Sequence, residues 1–81
     1  MSFQRGQLVF STAGRDKGFY VVVDQSDGYV LIANGHAHRI NSPKRKNPKH
    51  LAPCARIFGE DILAFDKQLK RVLAALPSGT Q

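Results

Sequence analysis

The chain has one cysteine and no tryptophan, and from Gly28 to Gly59 it has no aspartate or glutamate. Each absence narrows what the protein can be. A lone Cys54 cannot form an internal disulfide, which fits a reducing cytoplasm. No apolar run approaches the roughly 20 residues that span a bilayer. The start, MSFQRGQLVF, lacks both the long apolar core and the cleavage pattern of an export signal. These features predict a cytoplasmic protein with no membrane partner. No serine–histidine–acid set stands out. The segment GRDKG has too few glycines for a phosphate-binding P-loop, and it precedes a strand rather than a helix. At 81 residues the chain suits one domain and leaves little room for a deep cleft. The expectation is a binding protein, with neither enzyme activity nor a cofactor.

The charge is unevenly placed. The formal net charge is +6. The acid-free window holds Arg39, Lys44, Arg45, Lys46, Lys49 and Arg56, six positive charges, while the remaining residues carry six positive and six negative charges. The whole excess therefore lies in one segment, densest in HAHRINSPKRKNPKH (His36 to His50). Evenly scattered lysines would serve solubility, whereas a localised excess marks a surface for a polyanion.

Hydrophobic period divides the chain into a β part and a helical part. GQLVFS (6–11) alternates and predicts a strand, with Leu8 and Phe10 on one side and Gln7 and Val9 on the other. FYVVVD (19–24) is aromatic and β-branched and predicts a strand covered on both faces. QSDG predicts a turn, and YVLIA (29–33) the next strand. Asn34 and Gly35 form a hairpin signal, from which HAHRI (36–40) is predicted to return as a short strand. A basic loop (39–50) follows. HLAPCARI (50–57) predicts a fifth strand, confined by Pro53 to an edge or a strand end. From Gly59 the period changes to that of a helix. Ile62, Phe65, Leu69, Val72, Leu73 and Leu76 fall on one face, Glu60 and Asp61 occupy the first turn, and Pro77 and Gly79 end the helix. This stripe is expected to pack on the open side of the sheet. Four or five short strands within about fifty residues close most economically into a small, bent barrel. The organisation predicted is thus a barrel over 1–58 and a helix with a short tail over 59–81.

The stretch GQLVFSTAGRDKGFYVVVD has a strand, a short loop, a glycine (Gly18) and a second apolar strand. It resembles the KOW family of RNA-associated domains. The continuation YVLIANGHAHRINSPKRKNPKHL is similar to one branch, the small bacterial KOW proteins that resemble a large-subunit ribosomal protein of archaea and eukaryotes. The resemblance runs from about Gln4 to Leu51. It implies an SH3-like β-barrel that binds RNA, ribosomal RNA above all, and a place beside ribosomal proteins in translation. Carried over by position, it implies RNA contacts from Arg15 and Lys17 in the first loop. The basic edge would contribute Arg39, Lys44, Arg45, Lys46, Lys49 and His50. Gly18, with Asn34 and Gly35, would supply the structural turns. Asp16 is expected to orient Arg15 or cap the turn and stay off the RNA.

The residue chemistry gives its own reading beside the resemblance. Pro43 and Pro48 stiffen the flanks of three consecutive cations, which lowers the entropy lost on binding. No aromatic lies between Tyr29 and Phe58, so the basic segment is expected to contact the backbone and shape of folded RNA without stacking on bases. His36 and His38 would share a strand face. A structural metal site needs more ligands than these two offer, and none is expected. Cys54 is expected to be a small buried apolar residue. The alternative function is a protein-interaction module, an SH3-like adaptor of a ribosome- or transcription-associated factor with incidental charge. A monomer is favoured, although an exposed strand edge could pair with a second copy.

Overall fold

The structure, a computed structural model, describes residues 3–12 and 14–76. It is mostly β. Five strands, β1 (Gln7–Ser11), β2 (Gly18–Ser26), β3 (Tyr29–Ala33), β4 (Lys44–Lys46) and β5 (Leu51–Ile57), precede two short helices, α1 (Glu60–Leu63) and α2 (Asp66–Ala74). Single 3-10 turns at Gly14–Asp16 and Pro48–His50 lead into β2 and β5. The strands form one antiparallel sheet in the order β4-β3-β2-β1-β5, so β4 and β5 are its edges. Pro53 lies in the edge strand β5, opposite Val9, where its missing N–H is tolerated.

Strand alternation sends apolar side chains to both faces. Val9, Tyr20, Val22, Val30, Ile32 and Leu51 gather on one face with Phe3. Leu8, Val21 and Ala33 gather on the other, where Phe58, Leu63 and Leu69 complete a second cluster. β2 is covered on both sides, as FYVVVD predicts. A bulge at Val23 and a register shift in the β1–β5 pair bend the sheet. The second cluster draws on sheet and helices alike, so the C-terminal segment shares a core with the strands.

Three local expectations change. HAHRI does not pair back as a strand. Asn34 Oδ1 instead accepts the backbone N–H groups of His36 and His38, both at 3.0 Å, which folds these residues into a loop. Only Arg39 and Ser42 meet in an isolated bridge. The loop docks on α2. The Ile40 N–H donates to Asp66 Oδ1 at 2.7 Å, and Gly35 (φ 75°) lies so close that a Cβ there would collide with the Asp66 carbonyl. The predicted continuous helix is broken at Ala64 and Phe65, the latter extended at φ −138°. The break lets Leu63 and Leu69 reach the same core, and it turns Phe65 outward, 65% exposed, off the predicted buried face. The proposed helix stop at Pro77 and Gly79, and the tail with them, lie outside the described residues.

Gly18 sits at φ 145°, a conformation that side chains bearing a Cβ adopt at a cost, at the turn where the sequence places it. Leu69 is fully buried at the centre of the helix-side cluster. Leu69→Ala is expected to cost about 2–5 kcal/mol, read as a lowered midpoint in chemical denaturation. An unchanged midpoint would mean that α2 does not hold the core together.

Candidate nucleic-acid interface

The basic segment is not one solvated loop. Lys44, Arg45 and Lys46 form β4, paired with Ile32, Leu31 and Val30. Three consecutive charged residues carry no apolar period, so the strand is invisible in its own sequence; β3 supplies the ladder. Alternation then separates the three side chains. Lys44 and Lys46 share the face of the buried Ile32 and Val30, and Arg45 takes the other. Their stems can cover apolar surface while the ammonium groups seek a polar partner.

That partner is Asp16. Its carboxylate lies 3.2 Å from Lys44 Nζ, 3.8 Å from Lys46 Nζ and 3.3 Å from His38 Nε2. The role expected for Asp16, orienting Arg15 or capping the turn, is therefore replaced by an ion cluster that joins the β1–β2 turn to the basic strand. The Lys44 hydrogen bond is the main cause that holds the Asp16 carboxyl below its ordinary range; burial opposes it, and His38 and Lys46 add to it. Lys46 keeps only 12% of its side chain exposed. His38 also stands beside the Tyr20 ring, with centroids 6.0 Å apart.

A second tie lies at the same end of the sheet. The backbone N–H and Oγ1 of Thr12 donate to the His50 carbonyl at 3.0 and 3.1 Å. The 3-10 turn Pro48–His50, capped by Asn47 Oδ1 accepting the Lys49 N–H at 2.9 Å, is thereby held against the β1–β2 turn. Segments far apart in sequence meet here. The first turn brings Arg15 and Lys17. The 34–43 loop brings Arg39 next to the Asp16-bound His38. The second turn brings Lys49 and His50.

The eight residues carried over from the resemblance therefore divide. Arg15, Lys17, Arg39, Lys49 and His50 are exposed, and none of them makes an ion pair with a described residue. Lys44 and Lys46 are partly neutralised by Asp16. Arg45, exposed on the opposite face of β4, lays its guanidinium over the Tyr29 ring at 4.3 Å from the centroid. Tyr29 lies outside the basic segment in sequence, so no signal within that segment points to it. The β3–β4 pairing brings this aromatic to the segment from outside. Arg56 sits likewise over Phe58, at 4.8 Å. Of the structural-turn residues, Gly18 and Gly35 have positive φ, and Asn34 acts through its side chain. Cys54 is half-buried, not buried, and desolvation pushes its thiol pKa up.

Compared with known proteins, the chain matches no family model, and no curated protein is significantly similar to it.

The Asp16 cluster makes stability depend on pH. Its folded pKa lies below the unfolded one, so its contribution is complete above the unfolded value and is lost as pH falls through the folded value. Glu60, paired with Arg5 at 2.8 Å, is shifted the same way. Asp16→Asn is expected to lower the melting temperature at neutral pH and to flatten, without abolishing, the decline from neutral pH to about pH 3. Melts of wild type and variant across that range check it; parallel curves would contradict a folded-state role for this carboxylate.

Proposed function

We propose that this is a KOW-type RNA-binding protein that docks on structured RNA, with ribosomal RNA as its target. The observation that carries the reading is the meeting of the β1–β2 turn, the β4 strand and the Pro48–His50 turn at one end of the sheet. The two basic parts of the resemblance, GRDKG and PKRKNPKHL, become one cationic surface. The positive φ of Gly18 supports the KOW reading of the first turn, and the bent sheet with apolar clusters on both faces supports an SH3-like barrel. The exposed cations supply phosphate contacts, with lysine as a mobile point charge and arginine as a bidentate donor. Lys44 and Lys46 shape the surface and raise its potential while Asp16 holds them in place.

A second reading, docking to another protein, is favoured by the exposed Phe65 beside Lys67, Gln68 and Arg71 on α2. The two readings use different residues.

The dependence of RNA affinity on salt separates them. Each phosphate contact contributes about −0.7 to −0.9 to the log–log slope. Replacing Arg15, Lys17 and Lys49 together by alanine should flatten the slope by about 2–3 without changing the melt, since all three are exposed and unpaired with described residues. An unchanged slope would remove this surface from RNA binding. Loss of capture of a protein partner in Phe65→Ser, with RNA affinity absent or independent of salt in the wild type, would favour the protein-docking reading.

A further inference from the structure

The pairing of β3 with β4 builds a second feature on the face of β4 away from Asp16. The Arg45 guanidinium covers the Tyr29 ring at 4.3 Å and is itself exposed. An open cleft of about 290 Å³ lies here, lined by Asp27, Gly28, Tyr29, Arg45, Lys46 and Asn47. Its size is close to the roughly 300 Å³ at which small-molecule sites begin. Its openness suits one unit of a longer chain better than an enclosed metabolite.

The polar groups narrow the ligand further. Asp27 is exposed and makes neither an ion pair nor a side-chain hydrogen bond with any described residue. Arg45 and Lys46 outweigh its charge in the cleft lining, and the carboxylate itself is an acceptor only. It therefore selects a ligand edge with adjacent N–H donors. The Asn47 side chain uses Oδ1 to accept the Lys49 N–H at 2.9 Å, which leaves its amide nitrogen to donate outward. A flat cationic–aromatic stack, a two-lone-pair acceptor and a nearby amide donor together match a purine that presents two N–H donors beside a carbonyl. Among the four RNA bases only guanine does so, through N1–H, the N2 amino group and O6. Adenine, cytosine and uracil do not offer two adjacent donors. Lys49, exposed two residues beyond Asn47, supplies charge for the adjoining phosphate.

We propose that the cleft between Tyr29, Arg45 and the Asp27–Gly28 turn binds one unpaired guanine base. This rests on the RNA-binding reading and adds sequence preference to it: backbone contacts position the protein, and one base specifies it. Asp27 also serves the hairpin turn, but asparagine serves that turn equally well. Asp27→Asn therefore keeps the turn and removes the paired acceptor.

The test uses five RNA hairpins: a fully paired stem, and the same stem with a single unpaired G, A, C or U. Binding is read by fluorescence anisotropy. The wild type is expected to bind the G-bulged hairpin about 10-fold more tightly than the other bulged ones. Asp27→Asn should lose most of that preference with an unchanged melt. Tyr29→Leu should lose it too, and Tyr29→Phe should keep it. Equal affinity for the four bulged hairpins, or a guanine preference that survives in both Asp27→Asn and Tyr29→Leu, would overturn the proposal. If the wild type binds the paired stem with its full salt dependence but ignores the bulge, the RNA-binding reading stands and the guanine site falls. If it binds none of the five, both fall.

Discussion

The carboxylate of Asp16 is the constraint around which the basic end of the molecule is organised. β4 is a three-residue edge strand made only of lysine and arginine. Its backbone pairs with β3, but it has no apolar side chain to anchor it. Lys44 and Lys46 lie side by side on one face, where like charges repel. A single carboxylate placed between them, with both ammonium groups on Oδ2 and His38 on Oδ1, turns that repulsion into attachment. The result is one end of the sheet where three separate segments meet. It adjoins the first apolar cluster through His38, which stands beside the Tyr20 ring.

The arrangement also explains how a protein with so local a charge excess stays compact. Paired lysines lie inward with shortened reach, and the cations in the turns lie outward. The edge strands are each blunted in their own way, β4 by its charges and β5 by Pro53, which discourages pairing with another chain. Arg45 takes a different place, because alternation carries it away from Asp16 and onto the Tyr29 ring.

The mostly-β character and four of the five strands were legible in the sequence, whereas the expected closure into a barrel is not seen in the strand ladder, which leaves β4 and β5 as edges. β1, β2, β3 and β5 follow from alternation, β-branched content and turn residues, all of them local signals. Leu69 was legible too, because its burial follows from helical spacing. Elements set by contacts between distant residues were not. β4 exists because β3 offers a ladder, and nothing within Lys44–Lys46 announces it. The loop at His36 to Ser42 is folded by the Asn34 side chain and the docking of Ile40 on Asp66, both of which compete with the predicted return strand. Phe65 fits the helical period but falls at the break that lets α1 and α2 follow a curved sheet. In the candidate site, residue types and charge were legible, but the division of labour was not. That Lys44 and Lys46 turn inward, that Arg45 turns outward and that Asp16 joins them all follow from pairing register, which a run of like charges leaves unspecified.

The most direct test of the account is to map, residue by residue, where a structured RNA touches the protein. Backbone amide resonances would be followed by NMR as a ribosomal RNA hairpin is added. The account predicts shifts concentrated at residues 14–17, 38–39 and 44–50, with α2 and its Lys67, Lys70 and Arg71 unaffected. Shifts centred on α2, or no shifts at all under low-salt conditions, would contradict it.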